Sequence, residues 1–211
     1  MMSVYDYIIV GGGISGLFTA YKLSETGKSI LLVESTNRWG GRIYTKVEKG
    51  VQFDLGAGRI ANTHTKVMSL LNELNLKDDL IELPDKINYK IQGPKINFYS
   101  YVTKVLEGSK VYSKKYLQTI NLLQLCIDIL GQKQSKLLQA KLGYDSEFLS
   151  LNAYSGIKSL KKDLFSSTKY FILKKGLSSI TDTLVNRLQV KENITMKLDT
   201  NVTDIGKNYI Q

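Results

Sequence analysis

Apolar positions along the chain fall into three spacings, and each predicts a different element. Tyr7-Ile8-Ile9-Val10 is an unbroken apolar run, which predicts a buried parallel strand rather than a half-exposed one. Leu17, Ala20, Tyr21 and Leu23 then recur at helical spacing as far as Gly27. A second apolar run, Ile30-Leu31-Leu32-Val33, ends at Glu34. Residues 43–47 and 51–55 flank Glu48-Lys49-Gly50 and predict a hairpin. Val67, Met68, Leu70, Leu71 and Leu74 mark the inner face of a helix within 62–76, with Thr63 or Thr65 as its cap and Asn75 or Lys77 at its end. From 80 to 102 the spacing changes to two, and segments 87–91 and 95–99 around Gln92-Gly93-Pro94 predict another hairpin. Tyr89, Tyr99 and Tyr101 either pack on that sheet or line a pocket. Over 113–168 the spacing is helical again. Tyr116, Leu117, Ile120, Leu123, Ile127 and Leu130 predict one helix up to Gly131, 132–142 a second up to Gly143, and Ile157, Leu160 and Leu164 a third within 151–165. A helix over 178–188 and a strand over 194–198 complete an α/β chain.

The first strand runs into Gly-x-Gly-x-x-Gly at Gly11, Gly13 and Gly16. Gly11 permits a tight turn, Gly13 lets backbone N–H groups approach a pyrophosphate at the helix start, and Gly16 lets helix and strand pack closely. Ile14 and Ser15 belong to the same turn. Glu34 lies 18 residues past Gly16, near the offset of about 20 expected of a carboxylate that accepts ribose hydroxyls. Ser35 follows it, and no Arg stands there to receive a 2′-phosphate. A strand before, a helix after and an acid at the right distance make this a dinucleotide site rather than a chance glycine-rich turn. Gly40 and Gly41 then let the chain turn beside the phosphates, where Arg42 adds a guanidinium.

With 211 residues, 43% of them hydrophobic, the chain is long enough for one large domain or two small ones with a real core. The formal charge of +10 comes from scattered lysines. It reads as a solvated surface, with a nucleic-acid or membrane face as the alternative; no nucleic-acid partner is expected. Cys126 is the single cysteine, so no internal disulfide forms, and its apolar neighbours suggest a core residue. His64 is the single histidine; it is either a structural residue at a helix start or a base. One His and one Cys rule out an ordinary zinc site, so no metal is expected. No charged leader precedes an apolar stretch, and no run approaches the roughly 20 residues of a membrane span. These features predict an intracellular, cytoplasmic protein.

Beyond the hairpin, Asp54-Leu55-Gly56-Ala57-Gly58-Arg59 follows Gly40-Gly41-Arg42. With these motifs the chain resembles the flavin-dependent amine oxidases, and most of all their L-amino-acid oxidase branch. The resemblance implies FAD, with diphosphate and ribose held by the glycine turn and Glu34. It implies that Gly56, Ala57, Gly58 and Arg59 run along the isoalloxazine, and that Arg59 forks onto a substrate carboxylate; the competing reading of Arg59 is a salt bridge to a neighbouring acid. Lys174-Lys175-Gly176 resembles the family's re-entry turn. Thr200-Asn201-Val202 resembles the segment in which a backbone like that of Val202 reaches the adenine, unless Val202 is an ordinary sheet residue. The implied architecture is a Rossmann-like FAD-binding domain over 1–78 and 169–211, partial substrate-domain strands over 79–112 and a helical insertion over 113–168. The implied reaction oxidises the C–N bond of an L-amino acid or related amine to an imine while O2 becomes H2O2. The resemblance extends over this chain but only about the first half of a family member, so a truncated protein with weak FAD binding is expected. Two rival readings remain: another FAD oxidoreductase, such as a carotenoid desaturase or protoporphyrinogen oxidase relative, and a non-catalytic FAD-binding fragment.

Overall fold

The computed structural model describes residues 4–84, 98–165, 168–206 and 210. In chain order the elements are β1 (Tyr7–Val10), α1 (Ile14–Ser24), β2 (Ile30–Val33), β3 (Thr45–Glu48), β4 (Val51–Asp54), β5 (Ile60–Ala61), α2 (Thr65–Glu73) and β6 (Leu80–Glu82). Then come α3 (Phe98–Gly108), α4 (Lys114–Leu117), α5 (Leu122–Leu130), α6 (Gln132–Leu142), α7 (Asp145–Ser150), α8 (Ala153–Phe165), β7 (Tyr170–Leu173), α9 (Ser178–Gln189) and β8 (Ile194–Lys197). They form two compact units, Met1–Asp85 with Lys169–Gln211, and Lys86–Thr168.

The first unit is built on a parallel sheet of order β1-β2-β8, with Tyr7 opposite Ile30 and Ile30 opposite Ile194. Helices α1 and α9 pack together, and their Leu17, Ala20, Leu184 and Leu188 close over Leu32 of the central strand. Each fully buried leucine stabilises the fold by about 2 kcal/mol. All four residues of β2 are buried, as an unbroken apolar run demands. The same expectation fails for β1. It is parallel, but Tyr7, Ile8 and Val10 are 42%, 38% and 50% exposed. The reason is its place at the sheet's edge. It pairs on one side only, Ile9 alone turns into the core, and the described residues leave Ile8 and Val10 half open.

An antiparallel sheet of order β5-β7-β6 lies in the same unit, with Ile60 opposite Phe171 and Leu80 opposite Leu173. The predicted hairpin is present as β3–β4, turning through Lys49 (φ 50°) and Gly50 (φ 76°). Helix α2 ends where Asn75 takes the left-handed conformation, φ 61°. Neither Thr63 nor Thr65 caps it. His64 stands at its N-cap and its Nδ1 accepts the Ala61 N–H at 3.3 Å, which is the structural reading of this residue.

The second unit is helical around Val102, Val105, Leu122, Leu125, Cys126, Leu138, Phe148, Ala153 and Leu160. Two expectations are corrected here. The single helix expected up to Gly131 is broken into α4 and α5, because Asn121 caps the second by accepting the Gln124 N–H at 2.8 Å. The strand expected to reach Tyr99, in a period-two stretch running to Val102, gives way to α3 from Phe98 onward. Val102 and Val105 are both buried at helical spacing, a signal that the alternation around Tyr99 concealed. Tyr101 packs against this core. Most of the predicted hairpin, with Tyr89, lies outside the described residues. The second helix ends as expected, with Gly143 left-handed at its C-cap.

Candidate functional site

Chemistry in the first unit converges on the turn between β1 and α1. Gly11 adopts φ 103°, a conformation open to glycine, and donates to the Val33 carbonyl at 2.8 Å. A Cβ on Gly16 would lie 1.9 Å from the Gly11 carbonyl oxygen, so only glycine lets α1 rise this close to the strand. Gly13 is the N-cap; no side chain caps α1, and its first turn holds no acid. The positive end of α1 therefore has no side-chain cap of its own, a geometry suited to an anion. Helix α9 differs: the amide of Leu177 at its start donates to Asp54 at 3.1 Å.

Glu34 is 8% exposed and faces this turn. Its Oε2 accepts the Gly12 N–H at 2.7 Å. Oε1 accepts the Thr36 N–H at 2.9 Å, the Thr36 hydroxyl at 2.8 Å and the Ser35 hydroxyl at 3.3 Å. Burial pushes the carboxyl up, but these amide and hydroxyl donors outweigh it and hold Glu34 below the usual carboxylate range. Oε1 is saturated, whereas Oε2 accepts only the Gly12 N–H among the described residues and retains capacity for a further donor. The carboxylate thus tightens the turn as well as marking the end of β2. Thr200 N donates to the Glu34 carbonyl at 2.9 Å, and Asp199 N to that of Thr36 at 3.0 Å, so the chain leading to Val202 runs beside the same corner.

The loop after Glu34 folds back on the turn. Gly40 N donates to the Gly12 carbonyl at 2.8 Å, and Gly13 and Gly40 form a single parallel bridge. Arg38 organises this loop from within. Its guanidinium donates to the carbonyl of Gly41 at 2.6 Å and to those of Trp39 and Ile43 at 3.4 Å, and lies 4.6 Å over the Tyr44 ring. The result is a cleft of about 720 Å³ lined by Ile14, Gly41, Arg42, Leu55, Gly56 and Ala57, among others. A Cβ on Gly56 would lie 1.9 Å from the Arg42 carbonyl oxygen, which fixes this residue as glycine.

Of the residues singled out from the sequence, Gly11, Gly13, Ile14, Gly16, Glu34, Gly41, Arg42, Gly56 and Ala57 thus meet around the turn and its cleft. Ser15 and Ser35 are exposed close by, and Gly58 faces open space. Arg59 does not line the cleft. Its guanidinium lies 4.3 Å over the ring of Tyr170, and it makes no ion pair among the described residues, so the competing salt-bridge reading finds no partner there. Sequence reasoning missed Trp39, whose ring covers Gly12 so closely that a Cβ there would lie 2.3 Å from it. The signal was the additional glycine at Gly12, which the dinucleotide pattern does not require. It also missed Arg38 and Thr36, whose partners are backbone groups and neighbours brought together by the fold.

Comparison with known proteins agrees with the fold of the first unit. Residues 9–74 match a family model, the NAD(P)-binding Rossmann-like domain. Over 99 residues the chain is 33% identical to amine oxidase [flavin-containing] B of Rattus norvegicus, which is 46% of this chain and 19% of that protein. Over 105 residues it is 30% identical to a probable flavin-containing monoamine oxidase A of Dictyostelium discoideum, half of this chain and 23% of the other. In structure it resembles the cyclohexylamine oxidase of Brevibacterium oxydans IH-35A, with TM-score 0.66 and 18% identity, and putrescine oxidase bound to putrescine, with TM-score 0.59 and 18% identity. Those matches cover 95% and 92% of this chain but 52% and 51% of the other chains. The chain therefore carries a Rossmann-like fold, is related to flavin-containing amine oxidases over about half its length, and spans about half the length of the solved structures it matches.

Proposed function

We propose that this chain is the FAD-binding part of a flavin-dependent amine oxidase whose substrate is an L-amino acid or a related amine. The observation that carries the reading is the contrast between two helix starts in one unit. At α9 the acid, Asp54, takes the amide of the N-cap residue Leu177, whereas at α1 Glu34 takes the Gly12 amide one residue before the N-cap, and Gly13 and the first turn carry no side-chain cap or acid of their own. An anionic diphosphate fits there, held by the amides around Gly13, Ile14 and Ser15 and by Arg42 across the cleft. The remaining acceptor capacity of Glu34 suits a ribose hydroxyl, and the backbone of Val202, beside that corner, suits the adenine. Gly56, Ala57 and Gly58 supply a wall without bulk for a flat ring. When bound, the flavin supplies the two-electron oxidation of the amine's C–N bond to an imine and passes the electrons to O2 as H2O2.

Arg59 supports the amino-acid reading. Stacking on Tyr170 engages the face of its guanidinium and leaves the in-plane N–H donors for a carboxylate. The parallel-sheet unit would then be the cofactor domain, β6 part of the substrate sheet and the helices over 113–168 an insertion. Because the chain spans half the length of the matched structures, full turnover is expected to need the remaining half, and FAD alone to bind more weakly than in a complete oxidase. A cytoplasmic setting belongs to the same reading, supported by the single, buried and unpaired thiol of Cys126.

The test is titration with FAD followed by anaerobic addition of L-amino acids and of simple amines. Binding at the glycine turn, with bleaching by L-amino acids, is expected. No change in flavin absorbance at any concentration would overturn the cofactor reading, and bleaching by simple amines alone would overturn the amino-acid substrate. In the Arg59→Gln variant, the L-amino-acid concentration needed for bleaching is expected to rise about 100-fold, the loss of a bidentate charged contact, with FAD affinity unchanged.

A further inference from the structure

We propose that Asp54 is a positioning residue for the cleft: its carboxylate fastens the β3–β4 hairpin to the first turn of α9 and so holds Gly56, Ala57 and the Arg42 backbone in the cleft wall. The proposal rests on the reading of that cleft as the FAD site. A two-stranded hairpin is marginal without support, and this one gains little from apolar burial, with Val47 and Val51 67% and 61% exposed. Its anchorage is polar and lies at its base. Asp54 Oδ1 accepts the Thr45 hydroxyl, in a short contact, and the Leu177 N–H at 3.1 Å. The Thr45 oxygen accepts the Ser178 N–H at 3.0 Å, and the Ser178 hydroxyl accepts the Thr45 N–H at 2.8 Å. A carboxylate at a helix start is also favoured by the peptide dipoles.

Glycine makes the approach possible. Gly176 has φ 81°, and a Cβ there would lie 2.2 Å from the Thr45 side chain. From this base the strand pairing continues directly into the cleft. Leu55 N donates to the Tyr44 carbonyl at 2.8 Å, Ala57 N donates to the Arg42 carbonyl at 3.2 Å, and Gly56 rests on that same carbonyl. A shift at Asp54 is therefore passed to the cleft wall within three residues, although Asp54 itself does not line it.

Asp54→Ala and Asp54→Asn in the full chain test this by amide hydrogen exchange over 44–57 and by FAD titration. The alanine variant is expected to exchange faster over 44–57 alone and to bind FAD about tenfold more weakly, the loss of a half-buried acceptor for two donors. The asparagine variant, whose amide oxygen still accepts both bonds, is expected to stay within about threefold of wild type. Unchanged exchange over 44–57 in Asp54→Ala, or faster exchange with unchanged FAD affinity, would overturn the proposal. So would equal loss in both variants with faster exchange spreading through β2 and α1, since Asp54 would then serve only general stability. A wild-type chain that binds no FAD would overturn the cofactor reading, while the exchange comparison would still decide whether Asp54 holds the wall.

Discussion

Glu34 does two jobs with one carboxylate, and the division has a measurable consequence. Its donors stabilise the ionised form in the folded state, so its pKa lies below the ordinary value of 4.5. A group shifted in this direction stabilises the fold above its unfolded pKa, and that contribution is lost as pH falls through the folded value. Wild type should therefore lose stability faster than Glu34→Gln below about pH 4.5, while the difference between the two stays flat from pH 5 to 8; urea melts across pH would show it. Gly16 is the second residue whose change is decisive. Gly16→Ala places a methyl 1.9 Å from the Gly11 carbonyl oxygen, which should cost about 3 kcal/mol in denaturant unfolding and abolish FAD binding. Cys126 gives the opposite kind of result. Burial pushes its thiol up to about 12, so a thiol reagent should leave it untouched at pH 8 until denaturant opens the helical unit.

Element by element, the chain shows what local spacing reveals and what it conceals. The hairpin β3–β4 was legible because its turn chemistry is local, yet its turn is imperfect: Lys49 holds φ 50°, where Asn or Gly would sit with less strain. Lys49→Asn should stabilise the first unit by about 0.5 kcal/mol in thermal or denaturant melts. β1, α1, β2, α2, α6, α9 and β8 were legible for the same reason, each carrying its own periodicity and its own stop. The break between α4 and α5 was not, because Ile120 continues the helical spacing, while the capping bond of Asn121 and the backbone bonds of Ile120 and Leu122 to Ala153 and Leu151 set the break. Nor was the exposure of β1, since an unbroken apolar run says that a strand prefers burial and cannot say which strand ends up at the edge. At the site, the glycines and Glu34 could be read from spacing alone. The Gly12–Glu34 bond, the Arg38 staple and the stacking of Arg59 on Tyr170 join residues through the fold, with partners that sequence distance does not pair.

Across the whole molecule, the candidate chemistry gathers in the first unit while the second is helices around an apolar core. Among the described residues no helix is long and apolar enough to cross a membrane. The ring lying on Gly12 belongs to Trp39, and the chain has one tryptophan. Excited beyond the tyrosine absorption band, its emission is thus an optical signal from a single known spot, the glycine turn. Flavin absorbs where indole emits, so docking of FAD would extinguish that light by energy transfer, while AMP would leave most of it intact. A red-shift that precedes the loss of helical circular dichroism would record the loosening of this corner before the rest of the chain lets go.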